Sequence, residues 1–292
     1  MESTDRIQAA CNFILQSPPG EINDVLNDVR NIISDDELLH EGVLPALREY
    51  NIAQFMTVDV PGTEHQSIVS EASRLPAAED QEEERFLDPR SKKSFKFDHL
   101  TLEASDLQDF EPEAQTEEFR AALETAAVAY LKSHYHDGVA SAFSSSRSTS
   151  RFVLQVVANK YNPSNFWSGR WRSEYVVDFE EKTIVGKMLV HVHYYEQGNV
   201  QLSTTHDVSV ALPPAITPSQ TSAAKLLALI GEEESKYQNS LNDSYHEMRE
   251  KTFKGLRRAL PMTRSKVDWE KVTAYQIGAE LAASKGGFGG SS

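Results

Sequence analysis

The sequence contains almost no cysteine and no long hydrophobic run, and both shortages exclude classes of protein. Of 292 residues only Cys11 is a cysteine, so an intrachain disulfide is excluded and a reducing compartment is expected. No stretch of about 18 apolar residues occurs, so we expect no transmembrane helix. The first twenty residues lack a basic stretch followed by an apolar core, which argues against a secretory signal.

The motifs of common enzyme classes are also missing. The sequence has no nucleophile elbow, P-loop, dinucleotide-binding glycine motif or His-Glu-x-x-His zinc motif. Cys11 and His40 both fall in the N-terminal helical region, but the apolar helix face around Cys11 favours a buried structural thiol over a nucleophile. We therefore expect no enzyme activity and no cofactor.

Two histidines alternate on one predicted strand and raise the question of a metal site. A two-residue turn at Gln197-Gly198 would pair His193 with Leu202 and place His206 on the same face as His191 and His193. Zinc binds such imidazoles, but no cysteine or carboxylate lies at ligand spacing in this hairpin. Partly exposed strand histidines are the favoured interpretation, and a metalloenzyme remains an alternative.

Residues 165–172, NFWSGRWR, mix aromatic side chains with arginines. One interpretation is a surface on which nucleic-acid bases stack. The favoured interpretation packs the tryptophans in a sheet and places Gly169 at a turn.

Hydrophobic spacing predicts three short helices in the first 55 residues, as in an antiparallel bundle. The break Ser17–Gly20 separates the first two helices, and the capping box Ser34–Glu37 begins the third. Pro45 should bend or restart that third helix.

The middle of the chain predicts an antiparallel sheet. Residues 71–84 are acidic, which indicates a mobile loop. Residues 119–135 have the pattern of a helix. The serine-rich residues 141–150 indicate a hairpin loop. Alternating apolar residues around 152–157 indicate a strand. Residues 183–195 and 199–210 are predicted to be the two strands of a hairpin.

Residues 218–260 have the pattern of one long helix that would span roughly 60 Å. A continuous apolar stripe along such a helix indicates a neighbouring element, most simply another chain. The stripe comprises Leu226, Ile230, Tyr237, Leu241, Tyr245, Met248, Phe253, Leu256 and Leu260. Pro261 ends the helix, a short helix follows over 268–284, and the glycine-rich end indicates a flexible tail.

The strongest candidate for a binding site is the basic segment 251–266. It holds six basic and no acidic residues, a local charge of +6, in a chain whose net charge is −15. Lys254 and Arg258 lie four residues apart on one helical face, and Arg264 follows the proline. A solvated helix end is the ordinary alternative, but a large field of one sign favours an anionic partner. The negative net charge of the whole chain argues against nucleic-acid binding over its surface as a whole.

Several blocks in the same order resemble the alpha subunit of the F-actin capping protein (CapZ) family over nearly the whole chain. They are SPPGEINDVLNDVR (17–30), RFLDPRSKKSFKFDH (85–99), NFWSGRWRSEY (165–175), VHYYEQGNVQL (192–202), FKGLRRALPMTRSKVDW (253–269) and the Tyr275-x-Ile277-Gly278 pattern.

The resemblance implies an α+β fold with an N-terminal three-helix stalk and a central antiparallel β-sheet shared with a partner subunit. A long C-terminal helix crosses the sheet and leads to an extension, the tentacle. The implied divisions are residues 1–58 for the stalk, 59–215 for the globule, 216–250 for the long helix, 251–285 for the basic tentacle and 286–292 for a flexible tail.

The resemblance also implies a function, namely a heterodimer with a beta subunit that caps the barbed end of the actin filament without calcium. By local matching, the actin-binding residues are Lys254, Arg258 and Arg264. Supporting positions, for binding or for packing, are Arg257, Lys266, Trp269, Val272, Ile277 and Leu281. Phosphoinositides and acidic inhibitor proteins would compete for these cations. The expected location is the cytoplasmic, cortical actin cytoskeleton.

A second function class stays open on the residues alone. A basic helix over 251–266 would also suit an anionic membrane or a nucleic acid. The long helix with its apolar stripe favours the capping protein, because neither the basic-helix alternative nor a metalloenzyme requires a second subunit.

Overall fold

The computed structural model describes residues 3–33, 36–76, 84–145, 148–196 and 199–248. The chain divides into two compact units, Met1–Gln238 and Asn239–Ser292. The described part of the second unit is the ten residues 239–248, which continue the last helix as far as Glu247. Everything that follows on sheets and their faces concerns the first unit.

Three helices begin the first unit, as the hydrophobic spacing predicts. They are α1 (Ser3–Leu15), α2 (Ile22–Ile33) and α3 (Asp36–Ala53). Helix α3 runs through Pro45 without a restart. The faces that meet are apolar, with Ile14, Leu26 and Leu47 among the buried residues of one common core.

Two small antiparallel sheets follow the helices. The first pairs β1 (Met56–Asp59) with β2 (Gln66–Val69), and the second has the order β3 (Phe86–Asp88), β4 (Lys93–Asp98), β5 (Glu103–Asp109). Of the loop predicted over 71–84, residues 77–83 lie outside the described part. Its described ends are fixed, because Arg74 pairs with Phe86 in a β-bridge and Glu84 bonds Arg48.

A five-stranded antiparallel sheet forms the centre of the unit, preceded by helix α4 (Ala114–His134). Its strands run consecutively in the order β10-β9-β8-β7-β6, so each strand pairs with its neighbours in sequence. The bounds are β6 (Val139–Ser145), β7 (Ser148–Asn162), β8 (Trp167–Asp178), β9 (Thr183–Tyr194) and β10 (Val200–Ala211), with a short 3-10 helix, Pro163–Asn165, between β7 and β8.

The serine-rich segment 141–150 is mostly strand, so the prediction of a hairpin loop over its whole length is wrong. Residues 141–145 belong to β6 and residues 148–150 to β7, and Ser145 pairs with Ser148. Ser141 is buried, which shows how burial in a sheet overrides the low strand preference of a small polar residue.

The two faces of the five-stranded sheet are covered by different parts of the chain. On one face, Phe119 of α4 packs against Phe152 with ring centroids 4.8 Å apart. The same face receives α5 (Gln220–Glu247), whose Tyr237 stacks on His206. On the opposite face, Arg170 of β8 reaches Tyr50 of α3. The sheet therefore lies between the N-terminal helices and the later helices α4 and α5.

The pairing of β9 with β10 differs by one residue from the pairing that the sequence predicts. His193 pairs with Gln201, not with Leu202. Five residues, 195–199, separate the two strands instead of two, and a change of one in the register exchanges the faces of a strand. His206 consequently pairs with Met188 and lies on the face opposite to His191 and His193.

Helix α5 confirms a long helix in the region predicted, and the structure describes it from Gln220 to Glu247. Residues 249–260 of the predicted helix lie outside the described part. The first half of its apolar stripe, Leu226, Ile230 and Tyr237, is buried within this chain, whereas Tyr245 and Met248 are 40% and 37% exposed. Within the described residues, the stripe is therefore buried by this chain as far as Tyr237 and exposed at Tyr245 and Met248.

Candidate functional site

The residues that the sequence singles out for binding all lie outside the described part of the chain. They are Lys254, Arg258 and Arg264, with the supporting positions Arg257, Lys266, Trp269, Val272, Ile277 and Leu281. The described residues instead show how the helix that leads to them, α5, is attached to the central sheet.

A buried carboxylate on α5 is the centre of that attachment. Glu234 is 1% exposed and accepts hydrogen bonds from four hydroxyl groups. Tyr175 and Ser173 of β8 donate to its Oε1 at 2.7 and 3.2 Å. Tyr130 of α4 and Tyr135, just after α4, donate to its Oε2 at 2.7 and 2.6 Å. These five residues, here called the Glu234 cluster, join α4, β8 and α5.

The electrostatics of the cluster keep its hydroxyls protonated. Burial, and after it the charge of Glu234, raises the pKa of Tyr130, Tyr135 and Tyr175 well above the usual tyrosine value. No cation pairs with Glu234 within the described residues, so hydroxyl dipoles replace the water that a charged carboxylate loses on burial.

Sequence analysis missed this cluster although the sequence carries a signal for it. Glu234 lies four residues after Ile230 and three before Tyr237, so it occupies the buried stripe of α5. A carboxylate at a stripe position requires buried hydrogen-bond donors.

One turn further along α5, Tyr237 makes a second set of specific contacts with the sheet. Its ring stacks on His206 with centroids 4.6 Å apart and a 13° interplanar angle. Its hydroxyl donates to Thr204 at 3.3 Å, and Trp171 lies 6.0 Å away between centroids. The helix thus has two adjacent points of attachment, at Glu234 and at Tyr237.

The arginines of residues 165–172 are buried, which makes the base-stacking interpretation wrong. Arg170 donates to the Tyr50 hydroxyl at 3.0 Å and to Gln54 Oε1 at 2.7 Å. Arg172 donates to the backbone carbonyls of Gln54 and Ala158. Burial, with the adjacent Arg170 charge, lowers the pKa of Arg172 to about 9, so it stays charged near neutral pH. These contacts hold the end of α3 on the sheet.

Trp171 of the same segment packs against the sheet as predicted, but Gly169 does not form a turn. Trp171 lies between Tyr135 and Tyr237, with centroid distances of 6.1 and 6.0 Å. Gly169 is an interior residue of β8, where it pairs with Lys160.

The histidines have separate roles and do not converge on a metal site. His193 contacts Glu21 at 2.7 Å between Nδ1 and Oε1, which connects the start of α2 to β9. His191 contacts Gln201 at 3.1 Å, and burial lowers the pKa of His191. His206 is on the other face. No group of three metal-ligating side chains is found in the part of the chain that the structure describes.

Cys11 has the environment of a structural thiol. Its Sγ donates to the Gly42 carbonyl at 3.4 Å, and burial raises the pKa of the thiol, which lowers the thiolate fraction that a nucleophile needs. The side chain of His40 lies outside the described part.

Strand β10 forms one edge of the central sheet. It pairs with β9 over all twelve of its residues, and no strand among those described occupies its other side. A long edge strand offers a row of backbone donors and acceptors to another chain. Among the described helices, none is long and apolar enough to cross a membrane.

Comparison with known proteins gives one consistent family. The family model described as F-actin capping protein alpha subunit matches residues 10–280. A protein from Emericella nidulans named F-actin-capping protein subunit alpha is 37% identical over 281 residues, covering 96% of this chain and 98% of that protein. The protein of the same name from Caenorhabditis elegans is 36% identical over 288 residues, covering 96% and 99%.

A solved structure is similar in fold. It is the homodimeric actin capping protein alpha subunit from Plasmodium berghei, with a TM-score of 0.64 and 19% identity, covering 85% of this chain and 94% of that one.

Proposed function

Because this chain belongs to the F-actin capping protein alpha-subunit family, we propose that it forms half of a heterodimer that caps actin filaments. The heterodimer binds the barbed end, blocks both addition and loss of actin subunits, and needs neither catalysis nor calcium. The observation that carries this proposal is the extent of the family match, which runs through residue 280 and so includes the whole basic segment 251–266.

The partner in this proposal is a capping protein beta subunit. The edge of β10 supports it, because twelve consecutive residues there pair on one side only among the described strands. Val200, at the start of that strand, is 61% exposed. A strand of the beta subunit would continue the sheet and remove an edge that otherwise favours aggregation.

The proposed actin contact lies in the tentacle, residues 251–285, through Lys254, Arg258 and Arg264. Cations concentrated in this segment stand out because the chain as a whole carries a charge of −15. They would steer the heterodimer toward carboxylates of the filament end and then form charge-assisted hydrogen bonds there. Phosphoinositides and acidic regulators would compete for the same cations. The site of action is the cytoplasmic actin cytoskeleton, including the cortex.

Elongation of actin from filament seeds tests the proposal. Substoichiometric heterodimer should stop growth at barbed ends. The triple variant Lys254→Glu, Arg258→Glu, Arg264→Glu should weaken capping by at least about 100-fold, because each close charge pair at an interface contributes on the order of 1.5 kcal/mol or more. Its association rate should also lose much of its dependence on salt.

A matched control separates this effect from total charge. The variant Lys132→Glu, Lys182→Glu, Lys225→Glu changes the net charge equally at three exposed positions and should cap like the wild type. Unchanged capping by the first variant, or an equal loss in both, would contradict a specific basic site. Binding to anionic vesicles without any block of barbed-end growth would replace the capping function with a membrane-binding one.

A further inference from the structure

Four buried polar atoms on the sheet face beneath the N-terminal helices have no hydrogen-bond partner among the described residues. They are Asn159 Oδ1 of β7, Ser168 Oγ and Arg170 Nε of β8, and His193 Nε2 of β9. Eight such atoms occur in the described part of the chain, so half of them lie at one place. A buried donor or acceptor of this kind needs a partner, commonly a bound water or ion.

The strand register brings these four side chains together. Ser168 pairs with His193 on one side of β8, and Arg170 pairs with Asn159 on the other. Residues opposite each other on neighbouring strands share a face of the sheet, and so do residues two apart on one strand. Ser168, Arg170 and His193 are each 5% exposed, so bulk solvent does not provide the missing partner.

The surroundings of Ser168 limit the size of that partner. Ser168 has the shortest side chain of its row, because its cross-strand neighbours are the rings of Tyr161 and His193. The turn between α1 and α2 covers this row: a Cβ atom at Gly20 would lie 3.3 Å from the Tyr161 ring, and Glu21 contacts His193. A serine between two rings, under a covering turn, restricts the occupant to a single small ion or water.

The charge at this place favours an anion over water. Arg170 donates to a tyrosine hydroxyl and a glutamine oxygen, and Arg172 donates to backbone carbonyls. Within the described residues neither guanidinium forms an ion pair, whereas Glu21 pairs with His193. Burial, and after it the charge of Arg170, lowers the pKa of Arg172. Buried charge without a counter-ion is costly, and a bound anion would offset that cost.

We propose that Asn159, Ser168, Arg170 and His193, here called the anion patch, bind one small inorganic anion of the halide class. Arg170 Nε–H and Ser168 O–H donate to the anion, and His193 Nε2 is a third donor in the imidazolium form. The Asn159 amide presents its nitrogen in place of its oxygen. The anion neutralises part of the charge between the N-terminal helices and the sheet. This site is independent of actin capping and goes beyond the proposed function.

Bromide is the first probe, because its anomalous scattering distinguishes it from water. Crystals of the full chain assembled with its beta subunit, grown in sodium bromide, should show an anomalous peak within hydrogen-bonding distance of Arg170 Nε and Ser168 Oγ. The peak should weaken at least about 3-fold in Ser168→Ala, which removes one of the two donors.

Thermal unfolding in solution gives a second readout. Chloride replaces gluconate, an anion too large for the patch, at constant ionic strength. An anion that binds only the folded protein should raise the melting temperature by about 1–3 °C for each tenfold rise in chloride above its dissociation constant. Ser168→Ala should lose at least half of this dependence. Arg170→Lys, which keeps the charge but lacks the Nε–H, should do the same.

The matched control is Ser67→Ala in β2. Ser67 Oγ is also buried and also has no partner among the described residues, but Ser67 belongs to the other sheet. This variant removes an equivalent hydroxyl and should keep the chloride dependence of the wild type.

Each contrary result overturns the site. Density without an anomalous signal, together with equal melting temperatures in chloride and gluconate, identifies a water. Bromide in the crystal without any chloride dependence in solution indicates an adventitious ion only. An equal loss of chloride dependence in Ser67→Ala would show that the effect is not specific to the patch. Failure to assemble with the beta subunit contradicts the proposed function instead, and the full chain alone then takes the place of the complex in both measurements.

Discussion

Replacing Tyr175 with phenylalanine should destabilise the fold by about 1.5–3 kcal/mol, although it removes a single oxygen atom. Tyr175 is fully buried, and its hydroxyl donates to Glu234 Oε1 at 2.7 Å. Without it, Oε1 retains only the longer bond from Ser173, at 3.2 Å. The aromatic ring stays in place, so the loss comes from the hydrogen bond to the buried charge and hardly from a cavity.

Urea unfolding of the heterodimer measures this cost. Both proteins are compared at one concentration, because subunit association adds to apparent stability. A double-mutant cycle with Glu234→Gln assigns the cost to the pair. With a neutral amide as acceptor, Tyr175→Phe should cost only about 0.5–1.5 kcal/mol. Ser173→Ala, which removes the longer bond, should cost less than Tyr175→Phe.

Two results would refute the reasoning on Tyr175. One is a loss below about 0.5 kcal/mol, the range expected for a substitution without a specific effect. The other is an equal loss in the wild-type and Glu234→Gln backgrounds, which would show that the hydroxyl stabilises the fold independently of the carboxylate.

Two further predictions concern the same sheet. Gly186→Ala should lower stability by about 1–3 kcal/mol in thermal melting, because its Cβ would lie 2.3 Å from the Glu174 carbonyl and 2.6 Å from the Tyr175 ring. Gly169→Ala, where the nearest atom is 3.7 Å away, should cost clearly less, and the reverse order would contradict the packing argument. Asp178 accepts from the backbone N–H of Glu181 and from Arg151, and these bonds lower its pKa below 3.8. The contribution of Asp178 to the free energy of unfolding is therefore fully present above the pKa that it has in the unfolded chain. It is lost as the pH falls through the lower pKa of the folded state. Urea unfolding against pH should show Asp178→Asn less stable than wild type near neutral pH, with the difference shrinking in acid; a difference that grows in acid would contradict the assignment.

The elements of the fold could be predicted from the sequence where apolar residues repeat with one period. The three N-terminal helices, α4, the β9–β10 hairpin and the long helix α5 all follow from such repeats. The register of β9 and β10 could not be predicted with the same security, because it depends on the number of residues in the turn. One residue of error there placed His206 on the wrong face and created an apparent histidine cluster.

The polar contacts that position the elements were harder to predict than the elements. Periodicity counts apolar residues, so Glu234 appeared as a gap in the stripe between Ile230 and Tyr237. Its four donors come from residues 59 to 104 positions away along the chain, and only the tertiary fold brings them together. The hydroxyl cluster and the buried arginines are thus properties of the assembled sheet.

The position of β8 in the sheet explains why this central strand carries the polar sequence RWRSEY. It is the middle strand of five, and its successive side chains point to opposite faces. Arg170 and Arg172 point to the face that receives the N-terminal helices, where they bond Tyr50 and Gln54. Ser173 and Tyr175 point to the other face and bond Glu234 on α5. One strand therefore contacts both the N-terminal helices and α5, and a pattern that suggested a nucleic-acid surface is the junction between these helices.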